Sequence, residues 1–95
     1  MSDIITHAVE ALSARISGTF DGSAKFVIEG EGAVMLDSDG VRAGDEPADV
    51  TLTADTDTFR AILAGDLNPT MAFMNGRLKL DGDMGTAMKL GSVLG

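Results

Sequence analysis

The hydrophobic period of the sequence changes at Ala24, which restricts the chain to folds that combine helices with a sheet. Before that point, apolar residues recur every three or four positions, as on one face of a helix: Ile4, Ile5, Ala8, Val9, Leu12 and Ile16. Ser2 or Asp3 can cap the start of this helix, and Gly18 can end it. From Ala24 the period is two, so that alternate residues beginning with Phe26 share one side of a strand.

Turn-forming residues divide the alternating part into short strands. Gly30-Glu31-Gly32 and Asp37-Ser38-Asp39-Gly40 carry the Asp and Gly residues that tolerate the backbone of tight reversals. These turns separate three strands that we expect to form an antiparallel meander, at residues 24–29, 33–36 and 41–42. A fourth strand is predicted at residues 49–54, where two β-branched threonines take the outward positions.

The remaining sequence predicts short helices and one more strand. Asp55 or Asp57 can cap a helix that presents three apolar side chains, those of Phe59, Ile62 and Leu63. Asn68-Pro69 supplies the N-cap and first-turn proline of a further helix, which Asn75-Gly76 closes. A last strand is predicted at residues 77–80, and a final helix begins near Met84. The resulting order, α-β-β-β-β-α-α-β-α, predicts an α+β fold with helices on one face of the sheet.

Composition excludes most kinds of reactive site. The 95 residues are enough for one domain, residues 1–95, and they include no Cys and a single histidine, His7. Disulfides, thiolate nucleophiles and cysteine zinc sites are therefore excluded, and we expect no catalytic residues, no metal and no cofactor. Asp81-Gly82-Asp83 is better explained as a turn with a helix cap than as a metal site. We accordingly predict that the chain is not an enzyme.

Charge limits the partners of the chain. The formal net charge is −8, which opposes nucleic-acid binding and leaves at most transient contact with an anionic membrane surface. A basic leader followed by an apolar segment is absent from the first residues, and the absence of Cys suits the cytoplasm, which we predict as the location. The sequence does not determine the oligomeric state.

Methionine is concentrated in the part of the chain that has little net charge. Residues 1–66 contain 13 acidic and 4 basic residues, whereas residues 67–95 contain 2 acidic and 3 basic ones. Four of the six methionines lie in that second part: Met71, Met74, Met84 and Met88. Flexible thioethers suit a pocket for lipids of varied shape, but they also fill gaps in ordinary cores. Periodicity alone favours the ordinary core.

The second half of the chain resembles the sterol carrier protein 2 family, also called the sterol-binding domain. The most specific stretch runs from Gly65 to Leu90 and contains Asn68-Pro69, Ala72-Phe73, Gly76-Arg77-Leu78-Lys79-Leu80 and Gly82-Asp83-Met84. The order of the earlier elements agrees with the same family. The resemblance implies a five-stranded, mostly antiparallel sheet covered by about four helices. It also implies an apolar tunnel for a fatty acid, acyl-CoA, phospholipid or sterol-like lipid. We expect a compact, prokaryotic-type member without the C-terminal extension of the eukaryotic ones.

This resemblance makes non-enzymatic lipid binding and transfer the favoured function, with eleven residues as candidates for the lipid site. We predict one wall from Phe59, Ile62 and Leu63, a second from Met71, Phe73 and Met74, a gate from Met84, Met88 and Leu90, and a floor from Leu52 and Leu80. Asn68, Pro69 and Gly76 are expected to set backbone geometry without touching the lipid. The alternative is a structural or protein-interaction domain of the same fold whose cavity is filled by its own side chains.

Overall fold

The computed structural model describes residues 3–16 and 20–94, so that Ser2 and Gly18, predicted as helix caps, lie outside the described residues. Nine elements follow one another in the predicted order: α1 Asp3–Arg15, β1 Ala24–Ile28, β2 Gly32–Asp37, β3 Gly40–Ala43, β4 Val50–Ala54, α2 Thr56–Leu63, α3 Pro69–Met74, β5 Lys79–Gly82 and α4 Met84–Leu94. The prediction of an α+β fold is confirmed. In the described ranges, no helix combines the length and the apolar character needed to cross a bilayer.

The five strands form one sheet in the order β3-β2-β1-β4-β5. β1, β2 and β3 are joined antiparallel, as the predicted meander requires, and β5 is antiparallel to β4. At the centre, β1 and β4 are parallel, with Phe26 opposite Leu52. The sheet is therefore mixed, and mostly antiparallel as expected. Its central pair joins two parts of the chain that lie far apart in sequence.

The core lies on the face of the sheet that the helices cover. Alternate residues of β1 and β4, such as Phe26 and Leu52, are buried, while the residues between them are only half-buried. The rings of Phe26 and Phe59 meet edge to face, with centroids 5.9 Å apart. On the opposite face, Met35 is buried beside Gly44, where a Cβ would come within 3.2 Å of the Met35 Cγ atom. The segment around Gly44 therefore covers Met35 on that face.

The last strand begins two residues later than predicted. The backbone N–H groups of Arg77 and Leu78 both donate to the carbonyl oxygen of Ala72, at 2.9 and 3.1 Å. These two residues therefore close α3 instead of pairing in the sheet. The strand ends at Gly82, whose φ is +118° and where a Cβ would overlap with the carbonyl oxygen of Asp49. Glycine is needed at this position because β4 and β5 approach so closely there.

Candidate functional site

A cavity of about 570 Å³ lies between the β4–β5 end of the sheet and the helices α3 and α4, and it opens to solvent. Its lining is almost entirely apolar: Leu52, Pro69, Thr70, Phe73, Met74, Leu78, Leu80, Met84, Ala87, Met88, Leu90, Gly91 and Ser92. The volume lies within the range of about 300–1,000 Å³ that is typical of small-molecule sites. A cavity of this volume and lining can hold a small apolar molecule.

The floor of the cavity is built by the pairing of two strands. Leu52 of β4 lies directly opposite Leu80 of β5, so that both side chains project from the same face of the sheet. Two residues before Leu80, the side chain of Leu78 is buried and completes the lining on this side. Leu52 and Leu80, which the sequence assigned to the floor of the lipid site, thus lie side by side in the lining.

Helix α3 forms one wall and is fixed at its start by a polar cap. The side-chain oxygen Oδ1 of Asn68 accepts a hydrogen bond from the backbone N–H of Thr70 at 2.8 Å, and Pro69 occupies the first turn. Pro69 and Ala72 are the buried residues of this helix, which leaves Phe73 and Met74 exposed beside the opening. Pro69 also lines the cavity, although the sequence predicted for it a purely conformational role.

Helix α4 forms the opposite wall, and its first turn is held by Asp83. One carboxylate oxygen of Asp83 accepts from the Thr86 hydroxyl at 2.6 Å and from the Thr86 backbone N–H at 3.2 Å, and the other accepts from the Gly85 N–H at 3.3 Å. The hydroxyl and these two N–H groups, in that order, lower the pKa of Asp83 below its ordinary value. The prediction of a turn with a helix cap at Asp83 is thus confirmed.

Charge is absent from the described lining of the cavity. The polar side chains there are those of Thr70 and Ser92, and the Ser92 hydroxyl donates to the carbonyl oxygen of Met88 at 3.3 Å. In residues 3–16 and 20–94, no three acidic or histidine side chains come close enough together to hold a metal ion. General acid–base or nucleophilic chemistry needs a titratable group at the reacting atoms. The lining is that of a site for a largely apolar ligand.

Seven of the eleven predicted site residues line this cavity: Leu52, Phe73, Met74, Leu80, Met84, Met88 and Leu90. Met84 and Met88 lie exposed at the opening, where the predicted gate would be. Leu90, which was assigned to the same gate, is instead buried inside. Met71 is exposed on α3 but is not among the described lining residues.

The predicted wall of Phe59, Ile62 and Leu63 is in a different place. Helix α2 packs against α1 and the centre of the sheet, where Phe59 meets Phe26 and Ile62 is buried in the core. The backbone carbonyl of Leu63 accepts a hydrogen bond from Nε of Arg15 at 3.1 Å, which ties the end of α2 to α1. Phe59 and Leu63 border a smaller cavity of about 260 Å³ between these two helices.

Three lining residues, Leu78, Ala87 and Gly91, are not among the eleven predicted ones, although they follow patterns visible in the sequence. Leu78 alternates with Leu80 in the predicted strand, so that both were expected on one face of the sheet. Met84, Ala87 and Gly91 are spaced by three and four positions along α4 and share one side of that helix. Alanine and glycine contribute little to an apolar sequence pattern, but their small size leaves space in which a ligand can lie.

The alternative of a filled cavity does not agree with the structure. Phe73, Met74, Met84 and Met88 stand at the edge of the opening and leave the interior unoccupied by side chains. The profile of the SCP-2 sterol transfer family matches residues 6–95. The chain belongs to that family. The resemblance noted in the sequence is thereby confirmed.

Individual members of the family agree with this assignment. The chain is 42% identical over 82 residues to hydroxysteroid dehydrogenase-like protein 2 of Xenopus laevis, a match that covers 78% of this chain and 20% of that protein. The chain described here therefore spans about a fifth of the length of that relative. Two solved structures from Aedes aegypti share the fold. Sterol carrier protein 2 like 2 has a TM-score of 0.79 at 24% identity, over 95% of both chains. Sterol carrier protein-2 in complex with palmitate has a TM-score of 0.77 at 21% identity, over 99% of this chain and 96% of that one.

Proposed function

We propose that this SCP-2 family member binds lipids in the cavity between β4, β5, α3 and α4 and transfers them, without chemical conversion. The observation that carries the proposal is the open apolar cavity of about 570 Å³. Burial of each CH₂ group of a lipid chain contributes about 0.8 kcal/mol, from which the ordering of the chain must be subtracted. The affinity would come from desolvation, with few directional contacts.

The arrangement of the lining supports one orientation of the ligand. The buried leucines, Leu52, Leu78 and Leu90, surround the inner end, where an alkyl chain would lie. The hydroxyls of Thr70 and Ser92 can serve a polar head group, since hydroxyls both donate and accept hydrogen bonds. A fatty acid, acyl-CoA, phospholipid or sterol-like molecule has the required combination of one polar end and an apolar body. The palmitate bound by the Aedes aegypti protein makes a C16 fatty acid a suitable first probe.

The absence of titratable groups from the described lining supports a binding role without catalysis. The hydroxysteroid dehydrogenase-like relative is about five times longer than the matched region, so that its activity is no guide to this chain. A single lipid-binding unit over residues 1–95, and the cytoplasm as its location, remain proposals from the sequence.

Titration of the protein with a fluorescent fatty acid tests the proposal. We expect saturable binding with one lipid per chain. Met74→Trp places a bulky ring at the opening and should weaken binding several-fold, because the ring competes with the lipid for the same space. Met71→Trp is the matched control, since Met71 lies on the same helix and is exposed but is not among the described lining residues. Binding should be unchanged in this control.

Two results would contradict the proposal. One is a titration without saturation in the unmodified protein. The other is equal affinity of Met74→Trp, Met71→Trp and the parent protein, because that would place the lipid outside this cavity. Native mass spectrometry of protein purified from cells offers an independent measurement, in which a co-purified lipid adds its mass to that of the chain.

A further inference from the structure

The methionines of this chain differ widely in their exposure to solvent. Met74 and Met88 are each 73% exposed and Met84 is 58% exposed, and all three line the opening of the cavity. Met71 is 52% exposed but stands apart from the described lining. Met35 is only 1% exposed, on the far face of the sheet. Among the described residues there are thus three methionines that are accessible and line the cavity, one that is accessible but elsewhere, and one that is protected.

Exposure decides how fast a thioether reacts with peroxides. The sulfur lone pair attacks one oxygen of the peroxide, an S–O bond forms and the O–O bond breaks. The sulfur loses two electrons and becomes a sulfoxide, while hydrogen peroxide is reduced to water as its proton moves to the departing oxygen. Methionine sulfoxide is polar, and reductases specific for each of its two stereoisomers return it to the thioether.

We propose that Met74, Met84 and Met88 are peroxide-sensitive modification sites whose oxidation to sulfoxide releases lipid from the cavity. This inference rests on the proposed lipid binding. The three side chains line the cavity between α3 and α4, where the alkyl chain of a bound lipid would lie. A sulfoxide oxygen at such a position either contacts the alkyl chain without a hydrogen-bond partner or turns to water and draws its side chain away from the lipid. Both arrangements weaken binding.

The surroundings of these three residues offer little compensation for the new oxygen. The described lining contains the hydroxyls of Thr70 and Ser92 as its polar side-chain groups, and the Ser92 hydroxyl already donates to the Met88 carbonyl oxygen. Peroxide should not oxidise the core at a comparable rate, because the described core residues contain no methionine and Met35 is buried. Oxidation therefore changes the opening of the cavity and leaves the packing of the sheet intact.

The test treats the lipid-free protein with hydrogen peroxide and follows each methionine by peptide mass spectrometry. Met71, Met74, Met84 and Met88 should each gain one oxygen well before Met35. The oxidised protein should keep its circular dichroism spectrum and bind a fluorescent fatty acid at least about tenfold more weakly, which corresponds to about 1.4 kcal/mol. Treatment with methionine sulfoxide reductases of both stereospecificities should restore the affinity.

Leucine variants identify the responsible sulfurs. The triple variant Met74→Leu, Met84→Leu, Met88→Leu keeps apolar side chains of similar volume. Its affinity for the fatty acid after peroxide treatment should equal its own affinity before treatment. Met71→Leu is the matched control, and it should lose affinity on oxidation as the parent protein does. The inference is overturned if the oxidised parent protein binds unchanged, or if the triple variant is weakened by peroxide as much as the parent. If the untreated parent protein binds no lipid, the proposed function fails, and this inference fails with it.

Discussion

The helices that cover the sheet pack against it in two different ways. At one end, α1 and α2 cover the meander, and we call this the filled half, because its cavity of about 260 Å³ is less than half as large as the other one, of about 570 Å³. At the other end, α3 and α4 cover β4 and β5, and we call this the cavity half. Helix α2 buries Thr58, Phe59 and Ile62 within eight residues, whereas the six residues of α3 bury only Pro69 and Ala72. Large side chains directed inward exclude a ligand, while small ones with flexible neighbours leave room for it.

One small sheet thus supports a closely packed core at one end and a cavity at the other. The filled half has close-packed aromatic and aliphatic contacts, such as the edge-to-face pair of Phe26 and Phe59. The cavity half retains exposed methionines and an uncharged lining. Because a cavity has no packing partners for the atoms around it, its walls contribute less to stability than a filled core does. The close packing that stabilises the fold and the larger cavity are thus located in different halves.

The largest expected effect contrasts one phenylalanine from each half. Phe59→Ala should lower the free energy of unfolding by about 3–5 kcal/mol, since it removes a buried ring that packs edge to face on Phe26. Phe73→Ala should lower it by less than about 1 kcal/mol, because that ring is 44% exposed beside the opening. Urea unfolding followed by circular dichroism measures both values. Equal losses in the two variants would show that the cavity half is packed as firmly as the filled half.

A smaller effect is expected when the Asp83 cap of helix α4 is removed. Asp83→Ala removes the acceptor of the Thr86 hydroxyl and of two backbone N–H groups, and it should lower Tm by a few degrees. Amide hydrogen exchange should accelerate in the first turn of α4 and stay unchanged in α1. Asp81→Ala is the matched control, because Asp81 lies two residues away and is exposed on β5. Similar exchange in both variants would show that the carboxylate of Asp83 does not hold the helix.

The smallest expected effect is a loss of lipid affinity at acidic pH. The ordinary pKa of an aspartate is 3.8, and the contacts with Thr86 and Gly85 lower that of Asp83 in the folded protein. A group whose folded pKa is lowered stabilises the fold above its unfolded value, and this contribution is lost as the pH falls through the folded pKa. Lipid affinity should therefore be level between about pH 5 and 8 and fall below about pH 4.

Replacement of the titrating group provides the control for this pH dependence. In Asp83→Asn the decline of lipid affinity in acid should be shallower, because the amide does not titrate in this range. Fatty-acid titrations at several pH values measure it, with a probe whose own head group does not change charge in the range used. The same steep decline in Asp83→Asn would assign it to other acids, such as Asp37, whose pKa is lowered mainly by the side chain of Arg42 and further by the Asp39 backbone N–H.

The sequence predicted which elements form but not which helices share a cavity. The change of period at Ala24 and the Asp and Gly turns indicated nine elements in the observed order. An apolar stripe shows which side of a helix is buried, yet it does not name the neighbour. Helix α2 was grouped with α3 and α4 because its apolar residues resemble theirs. The packing of α2 on α1 depends on contacts distant in sequence, such as that of Arg15 with Leu63, which no local pattern reveals.

From the parallel pairing of β1 with β4 we expect a definite order of assembly. The hairpins of the meander connect neighbouring segments and need only short loops to close, whereas Phe26 finds its place beside Leu52 only after a much longer loop closes. β5 pairs with the other edge of β4, so that the cavity floor lies beyond this central seam. A chain that refolds from urea should therefore gain its fixed aromatic packing before it gains the capacity to take up lipid.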